Sequence, residues 1–220
     1  MDPRTAVEPH HHAWEHRAGD TSQVPLADDR ALLEESFALV TSVIGQIGPQ
    51  GWTAASPCRK WTVRQTANHL AGGLLLLARF AEDDAVDAAE VDAQRQADTD
   101  HLGGYPVTAF AAITDRSLAA FTAPGTLERE HAFMGTDVPG SVLASISLLE
   151  SLIHGWDIAT GAHLPYPARD DIIQAVWHFA TTDPAVEQGR GSQFTDALPV
   201  LPTATPRVRL LAHLGRHADA

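Results

Sequence analysis

The chain has one cysteine, Cys58, in 220 residues. No disulfide can form within it, which suits a reducing compartment, and a cytoplasmic setting is the expectation. Long apolar runs are missing too: no stretch reaches the roughly 18 consecutive apolar residues of a membrane span. Positive charge is scarce, with 15 Lys and Arg against 28 Asp and Glu and a net charge of −13. Such a surface repels nucleic-acid backbones and anionic membranes, and no basic patch offsets it, so neither is an expected partner. The opening stretch, Met1 to Asp20, has no apolar run behind a basic one and does not read as a secretory signal. Familiar catalytic signatures are also absent. There is no phosphate-binding glycine loop, no Gly-x-Ser-x-Gly and no His-Glu-x-x-His, and Gly189-Arg190-Gly191 is a fragment that means little alone.

What is present reads as an ordinary globular chain, 44% apolar and 20% charged. A chain of this length buries roughly 70% of the surface its unfolded form exposes and needs no cross-links. Residues 1–27 lack apolar periodicity and read as a flexible arm. His10, His11, His12 and His16 are too few and scattered for an engineered tag; a weak metal site there competes with the plainer reading of a solvated arm. From 28 to 220 the chain reads as one helical domain. Leu33, Phe37, Val40, Ile44 and Ile47 recur at helical spacing, with Asp28 or Asp29 as cap and Gly48-Pro49 as stop. Thr62 and Gln65 form the two ends of a capping box, and a second helix follows to Ala81 with Val63, Ala67, Leu70, Leu74 and Leu77 on one stripe. Gly72 and Gly73 sit mid-helix at a cost of about 1–2 kcal/mol, which close approach of another element would offset. Glu82 to Asp100 is acidic and mixed in character. A third helix runs from Pro106 to Phe121, and Leu127 to Phe133 alternates like a short strand or extended link. A fourth helix runs from Pro139-Gly140 to Thr160. Helices over 169–181 and 208–214 flank an extended tail rich in Gly, Pro and Thr. Four long amphipathic helices argue an all-α bundle.

The fourth helix carries the most chemistry. Glu150 and His154 are four residues apart and stack on one face, about 6 Å along the axis, and Asp157 continues that face. The opposite stripe is Val142, Ile146, Leu149, Ile153 and Trp156. Ionisable groups on so apolar a helix need partners or a metal. A carboxylate and an imidazole one turn apart can share a cation; an exposed Glu–His pair is the bland alternative. His69 on the second helix lies among small and apolar residues. Alone it reads as a satisfied core histidine; with Glu150 and His154 it completes a two-His, one-carboxylate set that leaves positions open for chemistry. Cys58 follows Pro57 between two tryptophans and reads as a small packed thiol before a nucleophile. Trp61 and Trp156 are expected to be buried.

At these residues the sequence resembles a known family. Ser56-Pro57-Cys58, Trp61-Thr62-Val63-Arg64 and Asn68-His69-Leu70-Ala71-Gly72-Gly73 resemble the opening metal motif of the DinB-like superfamily. The nearer likeness is its actinobacterial branch, related to the N-terminal domain of mycothiol-dependent maleylpyruvate isomerase. Glu150-x-x-x-His154-Gly155-Trp156-Asp157 is similar to that branch's second motif, and Leu210-Leu211-Ala212-His213-Leu214-Gly215-Arg216 to its closing one. The resemblance implies a DinB-like four-helix bundle, here with extra C-terminal helices. It implies a divalent metal held by His69, Glu150 and His154, zinc in the first place with Fe²⁺ or Ni²⁺ as alternatives. It also implies a thiol co-substrate, mycothiol, used on a small electrophilic molecule by a transferase or isomerase. Asp157 would orient a ligand or act as a base. A metal-dependent lyase, cyclase or hydrolase and a non-enzymatic metal-binding module are the competing readings, and a homodimer is left open.

Overall fold

The computed structural model describes residues 26–58, 61–191 and 193–218. Most of the expected N-terminal arm, with its four histidines, lies outside the described residues. Helix α1 spans Leu26–Gln46, α2 Val63–Ala81, α4 Pro106–Thr122 and α5 Gly140–Gly161. These four form the bundle: α2 packs on α4 and α5, and α1 on the same two. A short helix, α3 at Ala93–Asp98, lies against α2; α6 at Asp170–Thr182 lies against α5, α7 at Pro184–Gln188 against α6, and α8 at Pro206–His213 against α6. The expected bundle with added C-terminal helices is thus what the chain builds.

Apolar spacing decides which faces go inward. Leu33, Phe37, Val40 and Ile44 of α1 are all buried, as are Val63, Ala67, Leu70, Leu74 and Leu77 of α2. Trp61 and Trp156 are buried as expected. Helix α1 begins at Leu26, ahead of the expected cap at Asp28 or Asp29. Helix α5 differs from the two-faced reading. It is buried from Ser147 to Leu149 and again from Ser151 to Ala159, with Glu150 partly exposed between them, because α1, α2 and α6 all pack on it. A helix covered on nearly all sides has no apolar stripe to find. Among the described residues it alone has the length and apolarity of a membrane span, and most of that stretch is inside the fold.

Three shorter elements were only partly anticipated. The acidic stretch 82–100 contains α3, capped by Asp92, whose side chain accepts from Arg95 N at 2.7 Å. The tail contains α7 before it becomes extended. Strand β1, Glu130–Phe133, pairs antiparallel with β2, Thr136–Pro139, across Met134-Gly135. Both turn residues have positive φ, +50° and +89°, as a two-residue hairpin turn with matching twist requires. Buried His131 ties the hairpin down, with Nδ1 2.8 Å from Asp83 Oδ1 and Nε2 2.9 Å from the Thr126 carbonyl.

The paired glycines of α2 divide in function. A Cβ at Gly72 would lie 1.9 Å from Gln96 Oε1 and 2.6 Å from His101 Nε2, so Gly72 is what lets this part of the chain approach. A Cβ at Gly73 would meet nothing within 4 Å. Gly73→Ala is therefore expected to raise stability by roughly 0.5–1 kcal/mol through helix propensity. Gly72→Ala is expected to lower it by about 1 kcal/mol despite the same propensity gain, because Gln96 and His101 must move. Urea unfolding of the two variants side by side measures the difference.

Candidate metal centre

Helix α2 starts where the capping box puts it. Thr62 Oγ1 accepts from Gln65 N at 3.2 Å and the Gln65 side chain accepts from Thr62 N at 3.0 Å. Two helical turns later His69 faces α5. The Trp61 ring stands tilted against the His69 ring at 4.9 Å between centroids, and its Nε1 donates to Gln94 Oε1 of α3 at 2.9 Å. The loop before α2 and the short α3 together wall one side of His69.

Across from it, α5 presents Glu150 and His154. Glu150 Oε2 lies 3.7 Å from His69 Nε2 and 3.2 Å from His154 Nε2. The two imidazole rings meet edge to face at 4.9 Å. Ligand-type atoms of all three residues lie within 4.8 Å of one another, so the structure brings the three expected residues together. Their side chains are 17%, 23% and 8% exposed for His69, Glu150 and His154, so the group is recessed with an open side.

Asp157 lies behind this group. Its side chain is fully buried, with Oδ2 3.0 Å from His154 Nδ1. An ionised carboxylate only accepts, so Nδ1 carries a proton toward Asp157, and in the metal-free protein Nε2 carries one toward Glu150 Oε2 as well, which a metal bound at Nε2 would displace. Arg216, from the C-terminal segment, donates Nη2 to Asp157 Oδ2 at 3.0 Å and approaches Oδ1 through Nε at 3.5 Å. Cys58 completes the cluster. Its sulfur lies 3.9 Å from Arg216 Nη2, and Cys58, His154 and Asp157 bring ligand-type atoms within 4.8 Å of one another. The thiol is packed with Trp61 and Ala97, as expected, yet it faces charge as well as apolar surface.

Electrostatics bind these groups to one another. Burial pushes the Glu150 carboxyl up, but His154 and His69 beside it outweigh that and hold it well below the usual carboxylate range. Burial likewise opposes the charged forms of His154 and Asp157. Cys58, Glu150 and Asp157 nevertheless raise His154, and Arg216 with His154 lowers Asp157. Two imidazole nitrogens and a carboxylate, with the far nitrogen of one histidine held by a buried aspartate, form a donor set that fits a borderline divalent cation such as zinc.

With this geometry in view, comparison with known proteins is informative. The sequence model of the mycothiol maleylpyruvate isomerase N-terminal domain matches residues 33–159. The chain belongs to that family. Two uncharacterized proteins from two strains of Mycobacterium tuberculosis are each 26% identical over 163 residues, covering 73% of this chain and 82% of theirs. A crystal structure of the mycothiol-dependent maleylpyruvate isomerase superposes with a TM-score of 0.62 at 16% identity, over 83% of this chain and 79% of that one. The structure of a histidine-to-alanine mutant of that enzyme matches to the same extent. At such identity the likeness speaks for a shared fold. Within the family match lie His69, Glu150, His154, Asp157 and Cys58; Arg216 lies beyond it.

Sequence reasoning had given no role at this centre to Cys58 or Arg216. The signal for Arg216 was its place at the end of the closing motif Leu210–Arg216; for Cys58 it was a thiol inside the same motif as His69.

The charge pattern sets a pH dependence. His154 is raised above its ordinary 6.5, so its stabilisation is complete below that value and is lost as pH rises through the higher folded value. Glu150 and Asp157 are lowered from 4.5 and 3.8, so theirs is complete above those values and is lost as pH falls through the lower folded ones. From these three groups the metal-free protein is expected to melt highest between about pH 4.5 and 6.5. Thermal melts across pH check this, and Glu150→Gln should weaken the acid-side dependence.

Proposed function

We propose that this protein is a metal-dependent enzyme of the maleylpyruvate isomerase type, using a low-molecular-weight thiol such as mycothiol on a small electrophilic substrate. The observation that carries the reading is the convergence of His69, Glu150 and His154 at one recessed point on facing helices. Membership of a family named for a mycothiol enzyme supports the thiol.

In this reading His69 and His154 supply imidazole nitrogens and Glu150 a carboxylate oxygen, which leaves coordination positions open on the exposed side. Such a set would hold a divalent cation, zinc in the first place, whose chemistry when bound would be to favour the thiolate form of a thiol at neutral pH. The chain's own residues prepare the site. Asp157 holds the proton of His154 Nδ1 and so keeps Nε2 free to bind. Of its two expected roles, orienting a ligand suits its position better than acting as a base, because its carboxylate is fully buried between Arg216 and His154. Trp61 shields one side of His69 from water. The thiol and its electrophile would meet on the open side, where Glu150 and His69 keep partial exposure. A reducing cytoplasmic setting belongs to the same reading.

The test is metal content, helicity and thiol-dependent turnover measured on one preparation of wild type and His154→Ala. The variant is expected to lose bound metal and turnover, to keep its helical circular dichroism, and to lose about 1–3 kcal/mol of stability. Full metal occupancy in the variant overturns the ligand assignment. Wholesale unfolding would make the metal a structural one and favour the non-enzymatic module.

A further inference from the structure

The C-terminal segment returns to the bundle and sets one cation against the centre. Residues 189–191 and 193–199 wrap the end of α8. Arg190 Nη1 donates to the His213 carbonyl at 2.7 Å and to that of Thr195 at 3.0 Å, and Leu198 N donates to the Ala212 carbonyl at 2.8 Å. Gly215 then turns the chain at φ +77°, and a Cβ there would lie 1.8 Å from Thr195 Oγ1, so glycine is required on both counts. The next residue is Arg216. Its guanidinium is 11% exposed and spends its donors on protein: Nη2 and Nε on Asp157, Nη1 on the Leu214 carbonyl at 2.9 Å, with Cys58 Sγ at its edge.

Asp157 Oδ2 receives both Arg216 Nη2 and His154 Nδ1, each at 3.0 Å. A carboxylate taken out of water needs a compensating cation. A guanidinium also fixes its orientation, because its donors lie in one rigid plane. The His154 ring, held through Nδ1, keeps its angle only while that carboxylate keeps its own.

We propose that Arg216 is a positioning residue for the three-ligand centre: through Asp157 it fixes the His154 ring with Nε2 toward Glu150 and His69. The clasp over residues 189–216 thereby makes docking of the C-terminal segment a condition of tight metal binding, although that segment supplies no ligand. The inference rests on the metal reading above and extends it to a part of the chain outside the family match.

The experiment titrates metal-free full-length protein with Zn²⁺ against a chromogenic chelator and records the visible spectrum of the Co²⁺ form. It compares wild type, Arg216→Gln, Arg216→Lys and Tyr166→Phe. The last is the control for lost stability: it removes a buried hydrogen bond to the Ser151 carbonyl on α5, 3.2 Å long, that does not involve Asp157. Arg216→Gln is expected to stay helical, to bind Zn²⁺ about 10–100-fold more weakly and to show an altered Co²⁺ spectrum. Arg216→Lys should recover part of the affinity, and Tyr166→Phe should bind as wild type does. Zinc affinity in Arg216→Gln within about twofold of wild type overturns the proposal, as does an equal loss in Tyr166→Phe. If Arg216→Gln fails to fold, Arg216→Lys is judged by the same threshold. A wild-type protein that takes up no zinc overturns the metal reading and the proposal together, a result distinct from a zinc-binding wild type with an indifferent Arg216→Gln.

Discussion

Charge buried in an apolar helix is the constraint around which this molecule is arranged. Helix α5 runs through the middle of the fold carrying Glu150, His154 and Asp157 among Leu, Ile, Trp and Gly. None of these three groups is tolerable in such a setting alone. Each is answered from a different element: Glu150 by His69 of α2, Asp157 by Arg216 of the C-terminal segment, and His154 by both carboxylates. The alternation of negative and positive groups along this row means that removing any one member strands its neighbour, a heavier cost than losing a single surface ion pair.

The bundle was legible because most of its helices obey simple periodicity. One stripe of α1 and one of α2 were readable residue by residue, and the same residues are buried except Ile47, which falls just past the end of α1 and is only partly buried. The capping box at Thr62 marked the start of α2 correctly, since its two hydrogen bonds are local and depend on nothing distant. The grouping of Glu150 and His154 was legible for the same reason, being a matter of four residues on one helix. His69 was a less direct inference. It rested on small neighbours and on motif likeness, because no spacing rule relates it to a residue 81 positions further along.

What stayed hidden was set by contacts remote in sequence or by turns too short to show a period. Arg216 meets Asp157 across 59 positions and Cys58 across 158. Their meeting follows from how the tail wraps, which composition does not encode. The second strand of the hairpin was absorbed into the approach to α5; only Met134-Gly135, at two positions of positive φ, marks the reversal. The face of α5 was misjudged for a physical reason as well: a helix surrounded over most of its length selects apolar residues nearly all round, so a stripe read from it reflects chance more than direction.

The division of labour around His69 bears on how such a protein can change over time. The three residues that meet at the centre stand on the two longest-buried helices of the bundle, where a shift of backbone would disturb the whole core. The wall beside them is different: it consists of a loop and the six-residue α3, joined to Trp61 through Gln94. Segments of that kind accept insertion and substitution at little cost to the core. On the proposed function, the chemistry and its choice of molecule can therefore drift at separate rates, the first held by the scaffold and the second carried by a few replaceable residues at its rim.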